Sequence, residues 1–323
     1  MIPSSGRAVA IGRLIGWAAV AASIGFIGLR LGREAPWQVA AIHLQALTAT
    51  VIVGMLLYGM AGFLLSSAWY HLLGAGLSSA SIRWHHAVYG QTQIAKYLPG
   101  NVFHLVGRQV MGRRLGHGQA RLAFASLLEA ILLLLVAGVL SLPILWPWLD
   151  RELMWFLVLA GLALALVAAR WLYRRHHLAL CKLANSPGGI GPQAVLSLGW
   201  RLLRPVLLYV GFFFVAATIL WMLATSVAEP GRPSIDLAKS VSAVALAWLI
   251  GFATPGSSAG IGVREAVLIV TLESTLGASV SGLIALALRL VSMGGDAIFF
   301  VLGLVLSPTV DSTKPIKLED HPA

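Results

Sequence analysis

Two apolar stretches of this chain are broken in the same way. Pro99-Gly100 is followed by seven residues and then Arg108, and Pro255-Gly256 by seven residues and then Arg264. Both breaks fall inside runs that otherwise suit a membrane interior, residues 87–106 and 241–272. Broken backbone at membrane depth leaves N–H and C=O groups unpaired, which is tolerated only where the segment lines a cavity or is buried in protein. Neither half of either segment is long enough to cross a bilayer alone. Two matched breaks therefore predict a built site.

The rest of the chain sets the context. Of 323 residues, 58% are hydrophobic and 11% charged, which leaves too little polar surface for a water-soluble globule and predicts a multi-pass membrane protein. The formal net charge of +11 would suit nucleic acid, but the basic residues lie between apolar runs and mark topology instead. A single cysteine, Cys181, excludes an intrachain disulfide and a cysteine-based zinc cluster. Six stretches are apolar and long enough to be read as spans: residues 14–29, 47–73, 122–145, 153–169, 205–227 and 281–306. The first follows Arg7 and Arg13 as a signal peptide would, but its apolar run continues through Phe26 and Leu29 and reads as an uncleaved anchor.

Lys and Arg placement orients the spans. Arg83, Arg108, Arg113, Arg114 and Arg121, and then Arg170, Arg174, Arg175, Lys182, Arg201 and Arg204, belong in the cytoplasm, while the alternate connections are sparse or balanced in charge. This bookkeeping closes if both split segments enter and leave by one side as re-entrant hairpins. The expected fold is then an all-α integral membrane protein of about six transmembrane helices plus two re-entrant helical hairpins in two inverted-topology repeats. Residues 1–150 form the first repeat, 151–306 the second, and 307–323 a short tail, with both termini on the cytoplasmic side of the inner cell membrane. A competing reading makes the second split segment one kinked span, giving seven crossings and an outward tail.

The run AKYLPGN with Arg108, the Trp69-Tyr70 pair, Glu129 in the third span and ATPGSSAGIGVRE at 253–265 resemble the lysylphosphatidylglycerol synthase transmembrane-domain family. The resemblance runs from about the second span to the last. It implies movement of aminoacylated, polyprenyl-linked or hopanoid-type lipids between leaflets. It also departs from the family in two ways. Only residues 307–323 follow the last span, where the fused synthases carry a soluble aminoacyl-transfer domain, so that reaction is not expected here. Ser257-Ser258-Ala259 stands where the family tends towards glycine, which leaves the turn geometry of the second hairpin open.

The chemistry of such a site follows from the residues themselves. A helix that restarts at a mid-membrane break presents unpaired N–H groups and the positive end of its dipole, both suited to a lipid phosphate. Asn101 can cap the helix after Pro99-Gly100, and Gly260 and Gly262 permit close backbone approach ahead of Arg264. Arg108 and Arg264 add permanently charged guanidinium groups. Tyr89, Gln93 and Lys96 fall on one helical stripe, and Lys96 either binds substrate or pairs with an acid. Its alternative is a lysine snorkelling from a surface helix. Glu129, Glu265, Glu273 and Asp296 supply acids at depth, and Arg289 lies seven residues before Asp296. These charges either knit hairpins to spans or gate and handle substrate and protons, with Glu129 and Asp296 as relay candidates.

Other chemistries find no support. His85-His86 and His176-His177 lack a third ligand at metal spacing, so no metal is expected. His104 suits a backbone hydrogen bond or a headgroup contact. No nucleotide loop or nucleophile elbow is present, and neither a cofactor nor a nucleic-acid partner is expected. Small-residue spacings at Gly12 and Gly16, and at Gly54, Gly59 and Gly62, suit helix packing inside the monomer or across a homodimer. The expected partner is a membrane lipid with an anionic headgroup. Two rivals stand beside the flippase: a headgroup-modifying transferase, and an accessory subunit of a membrane glycosyltransferase or synthase.

Overall fold

The computed structural model describes residues 36–74, 79–98, 103–148, 192–228, 235–254 and 258–307, together with isolated positions before residue 36 and residue 152. The helices are α1 (Pro36–Ile42), α2 (Leu44–Leu73), α3 (Ser79–Gln93), α4 (Phe103–Arg114), α5 (Gln119–Leu145), α6 (Pro192–Ser226), α7 (Leu237–Ala253), α8 (Val263–Leu276) and α9 (Ala278–Leu306). Short 3₁₀ turns cover Ile94–Tyr97, Trp146–Trp148 and Ser258–Gly260, and no strand occurs among the described residues. Among the described residues, four helices are long and apolar enough to cross a membrane: α2, α5, the Leu202–Ser226 part of α6, and α9. They coincide with four expected spans. Most of the span expected at 14–29 and all of 153–169 lie outside the described residues.

Local chemistry explains where these helices begin and end. α2 stops at Gly74, whose φ of 60° is the left-handed conformation that glycine adopts without Cβ strain. α7 starts at Asp236, whose side chain accepts a hydrogen bond from the Lys239 N–H at 2.7 Å and so caps an otherwise unpaired donor. α3 and α4 pack against each other on either side of the first break, as do α7 and α8 around the second. At 1.5 Å rise per residue these four helices run about 18–26 Å, short of the roughly 30 Å of a bilayer core. α3 begins at Ser79, well before the expected start of the first split segment. Its first half, SASIRWHH, is more polar than the segment expected from residue 87.

Packing exchanges partners between the two ends of the chain. α2 lies along α6, α5 along α7, and α9 along both α2 and α3. Close approach depends on glycine. A Cβ on Gly62 would fall 2.6 Å from the Phe299 ring, one on Gly59 3.0 Å from Ile298, and one on Gly54 3.1 Å from Ile219 and Val291. The glycine stripe of α2 therefore faces α6 and α9 within the monomer, while Gly12 and Gly16 lie outside the described residues. α3 crosses α9 at Gly90 and Gly303, where backbone meets backbone. Two histidine contacts add polar ties: His86 Nδ1 lies 2.7 Å from the Ser66 hydroxyl, and His85 Nε2 lies 2.7 Å from His117 Nε2.

Candidate functional site

The tips of the two helix–break–helix units meet. The 3₁₀ turn Ile94–Tyr97 packs on the turn Ser258–Gly260, and both rest against α9. Beneath them lies a cavity of about 80 Å³ whose wall carries Tyr89, Gln93, Lys96, Arg108, Glu129, Arg264 and Asp296. Of the expected site residues, Pro99, Gly100, Asn101, Pro255 and Gly256 fall outside the described residues.

Arg108 already has its ion-pair partner, and only its Nε is buried without a hydrogen bond. Its Nη1 donates to Glu129 Oε2 at 2.6 Å and its Nη2 to Gln93 Oε1 at 2.9 Å, while its guanidinium sits 3.6 Å from the centre of the Tyr89 ring. The Tyr89 hydroxyl donates to the other Glu129 oxygen at 2.6 Å. Arg108 is 2% exposed and Glu129 4%. The expected stripe of Tyr89, Gln93 and Lys96 does face the cavity, but Tyr89 and Gln93 serve to hold this ion pair.

Asp296 gathers the first turn in the same way. Its carboxylate accepts Lys96 Nζ at 2.7 and 2.9 Å and the Tyr97 hydroxyl at 2.5 Å. A 3₁₀ turn places adjacent residues 96 and 97 so that both reach one acid. Tyr97 escaped the sequence reading, although its place beside Lys96 was a signal. Seven residues earlier on the same helix, Arg289 secures the second turn. Its Nε lies 3.3 Å from Glu265 Oε1 and its Nη1 donates to the Ala259 carbonyl at 3.2 Å. Ala259 has φ 50°, a strained value for a residue with a Cβ, at the turn whose geometry the sequence left open. Arg289 and Asp296 thus find partners on other elements, as their separation required. Glu273 lies away from the cavity on α8.

Arg264 differs from the other cations. Among the described residues no carboxylate lies within 4 Å of it and its guanidinium makes no hydrogen bond; an unpartnered nitrogen also occurs on Arg108 and Arg289, but each of those has an acid and Arg264 has none. The Trp248 ring lies 5.6 Å from its guanidinium carbon. Room for the side chain comes from two glycines: a Cβ on Gly251 would fall 2.5 Å from Arg264 Cγ, and one on Gly260 2.6 Å from Nε. Gly260 and Gly262 have φ of 71° and 81°, so the backbone ahead of α8 takes a path that other residues rarely adopt. Along the cavity wall, the cations Lys96, Arg108 and Arg264 face the anions Glu129 and Asp296, leaving one positive charge in excess. Including the Glu265 and Arg289 pair does not change that balance.

His104 also reaches the cavity, and its Nδ1 is buried without a hydrogen-bond partner rather than bonded to local backbone. Trp248, Tyr58 and Phe212 complete the wall; the sequence reading passed over them because aromatic residues in a membrane protein mark depth as often as a site. Among the described residues no group of three or more metal-ligating side chains converges. No family model, curated protein or solved structure matches this chain.

Proposed function

We propose that the chain is a lipid transporter that binds the phosphate of a headgroup at Arg264 and passes it between leaflets. The observation that carries this reading is the uncompensated guanidinium in a cavity where every other charge is paired. Burying an unpaired cation is costly, and a site that keeps one is built for an anion. Arginine offers a planar fork to phosphate oxygens, and the start of α8 adds unpaired N–H groups and a positive dipole end beside it.

In this reading the two helix–break–helix units are re-entrant hairpins, the two halves are inverted repeats, and six spans leave both termini in the cytoplasm. The exchange of partners, with α5 on α7 and α9 on α3, is the pattern that two such repeats would produce. α9 carries both latches, Asp296 on the first tip and Arg289 on the second. Movement of α9 against the tips would open the cavity to one leaflet at a time while hydrocarbon chains stay in lipid. The resemblance to the lysylphosphatidylglycerol synthase transmembrane domain agrees with a lipid cargo.

The test is leaflet exchange of fluorescent anionic, zwitterionic, aminoacylated and polyprenyl-phosphate probes in proteoliposomes. Charge-assisted hydrogen bonds contribute about 1.5–3 kcal/mol, so Arg264→Gln should weaken cargo binding roughly 10–100-fold. Equal exchange by wild type and a correctly inserted Arg264→Gln protein refutes the proposal. Absence of exchange with any probe, alongside covalent change of a lipid detected by mass spectrometry, points to a transferase.

A further inference from the structure

Arg264 stands between two cavities of unlike lining. Beside the charge-lined cavity lies a second of about 50 Å³ among α6, α7, α8 and α9, and the two share Tyr58, Phe212, Trp248 and Arg264. The second wall is mainly hydrocarbon, with Ala216, Val244, Ala247, Leu268, Ala285 and Leu288. Its polar residues besides Arg264 are Tyr58, Trp248, Ser292 and the Glu265–Arg289 pair, which carries no net charge but keeps Glu265 Oε2 and Arg289 Nη2 without hydrogen-bond partners. The partition itself is aromatic, with Tyr58 edge-on to Phe212 at 5.7 Å.

Building on the anion-binding reading of Arg264, we infer that the second chamber receives the first carbons of a hydrocarbon chain bonded directly to the bound phosphate. The ligand is then an alkyl or prenyl phosphate, not a bare anion and not a phosphate separated from its chain by a polar linker. The guanidinium sits in the wall common to both chambers, so a phosphate on it has its ester oxygen next to the apolar side. A glycerol or sugar linker in that place would put hydroxyl or ester oxygens against Ala247, Leu268 and Leu288, with Glu265 Oε2 and Arg289 Nη2 as the unpartnered atoms able to meet them, so every oxygen beyond that reach is buried at a desolvation cost. One water-sized sphere needs about 10–15 Å³, so the chamber holds about four such groups, comparable in number to about four methylenes. Ala216, Ala247 and Ala285 are 4%, 3% and 1% exposed, and their small side chains leave the space open.

The experiment is calorimetric titration of the full chain in nanodiscs with inorganic phosphate, methyl, ethyl, propyl and butyl phosphate, and glycerol phosphate. Empty nanodiscs provide the partition control. A buried methylene is worth about 0.8 kcal/mol, which converts to about fourfold in affinity, so methyl to butyl phosphate should gain roughly 50-fold. Glycerol phosphate should bind at least about tenfold more weakly than butyl phosphate, because its hydroxyls enter a mainly apolar space. Ala247→Phe, or the milder Ala247→Val if the larger side chain prevents folding, should flatten the series. A flat series in wild type, with phosphate binding that Arg264→Gln abolishes, overturns the chain chamber and leaves the anion site standing. A rising series that persists in folded Ala247→Phe also overturns it, and no binding of any phosphate overturns both readings.

Discussion

Removing one partner of the Arg108–Glu129 pair should cost more than removing both. The pair is 2.6 Å long, its side chains are 2% and 6% exposed, and Gln93 and Tyr89 are its further contacts. Glu129→Leu leaves the guanidinium with a neutral amide and an aromatic face. Arg108→Met leaves the carboxylate with a single hydroxyl donor. Breaking one side of a buried pair costs about 3–5 kcal/mol, and because the cavity touches both residues the lower end, about 3 kcal/mol, is expected for each single variant. The double variant replaces the pair by hydrocarbon and removes the uncompensated charge, so it should recover about 2 kcal/mol relative to the worse single change. Reversible unfolding in mixed detergent micelles, run as a double-mutant cycle, measures the coupling. If the double variant is no more stable than the worse single variant, the pair is not the energetic unit described here.

Other outcomes follow from neighbouring features. Gly90→Ala would place a Cβ 2.8 Å from the Phe299 carbonyl oxygen on α9, and a backbone clash of this kind should cost about 1–3 kcal/mol, read as a lower midpoint in the same unfolding assay. Gly260→Ala must adopt φ 71° and meets Arg264 Nε at 2.6 Å, so it should weaken phosphate binding as Arg264→Gln does while leaving the Arg108–Glu129 coupling intact. His117, in the turn between α4 and α5, is pushed down to about 4 by burial and then by His85 and Arg121. Its unfolded form takes up a proton near the ordinary 6.5, so stability should fall as pH drops from 6.5 towards 4. His117→Gln should flatten that dependence in thermal melts, and an unchanged pH slope would count against the half-buried, neutral imidazole.

Much of this protein could be read from local chemistry. Long apolar runs become helices because only a helix pairs its own backbone groups in an apolar medium, and α2, α5, α6 and α9 follow those runs closely. Pro-Gly in such a run ends a helix wherever it falls, so the two helix–break–helix units were also legible. The deep placement of Lys96, Arg108, Glu129, Arg264 and Asp296 was implied by the hydropathy of their neighbours. Tertiary structure decided which charge meets which. Lys96 and Asp296 are 200 residues apart, and no periodicity links them. Arg108 and Arg264 stand at the same distance after the same dipeptide, yet the first is neutralised by Glu129 and the second, on the same cavity wall, has no carboxylate within 4 Å among the described residues. Helix formation depends on residues a few positions away, whereas an ion pair depends on a few ångströms between side chains brought together by packing, and that packing alone separates the paired arginine from the unpaired one.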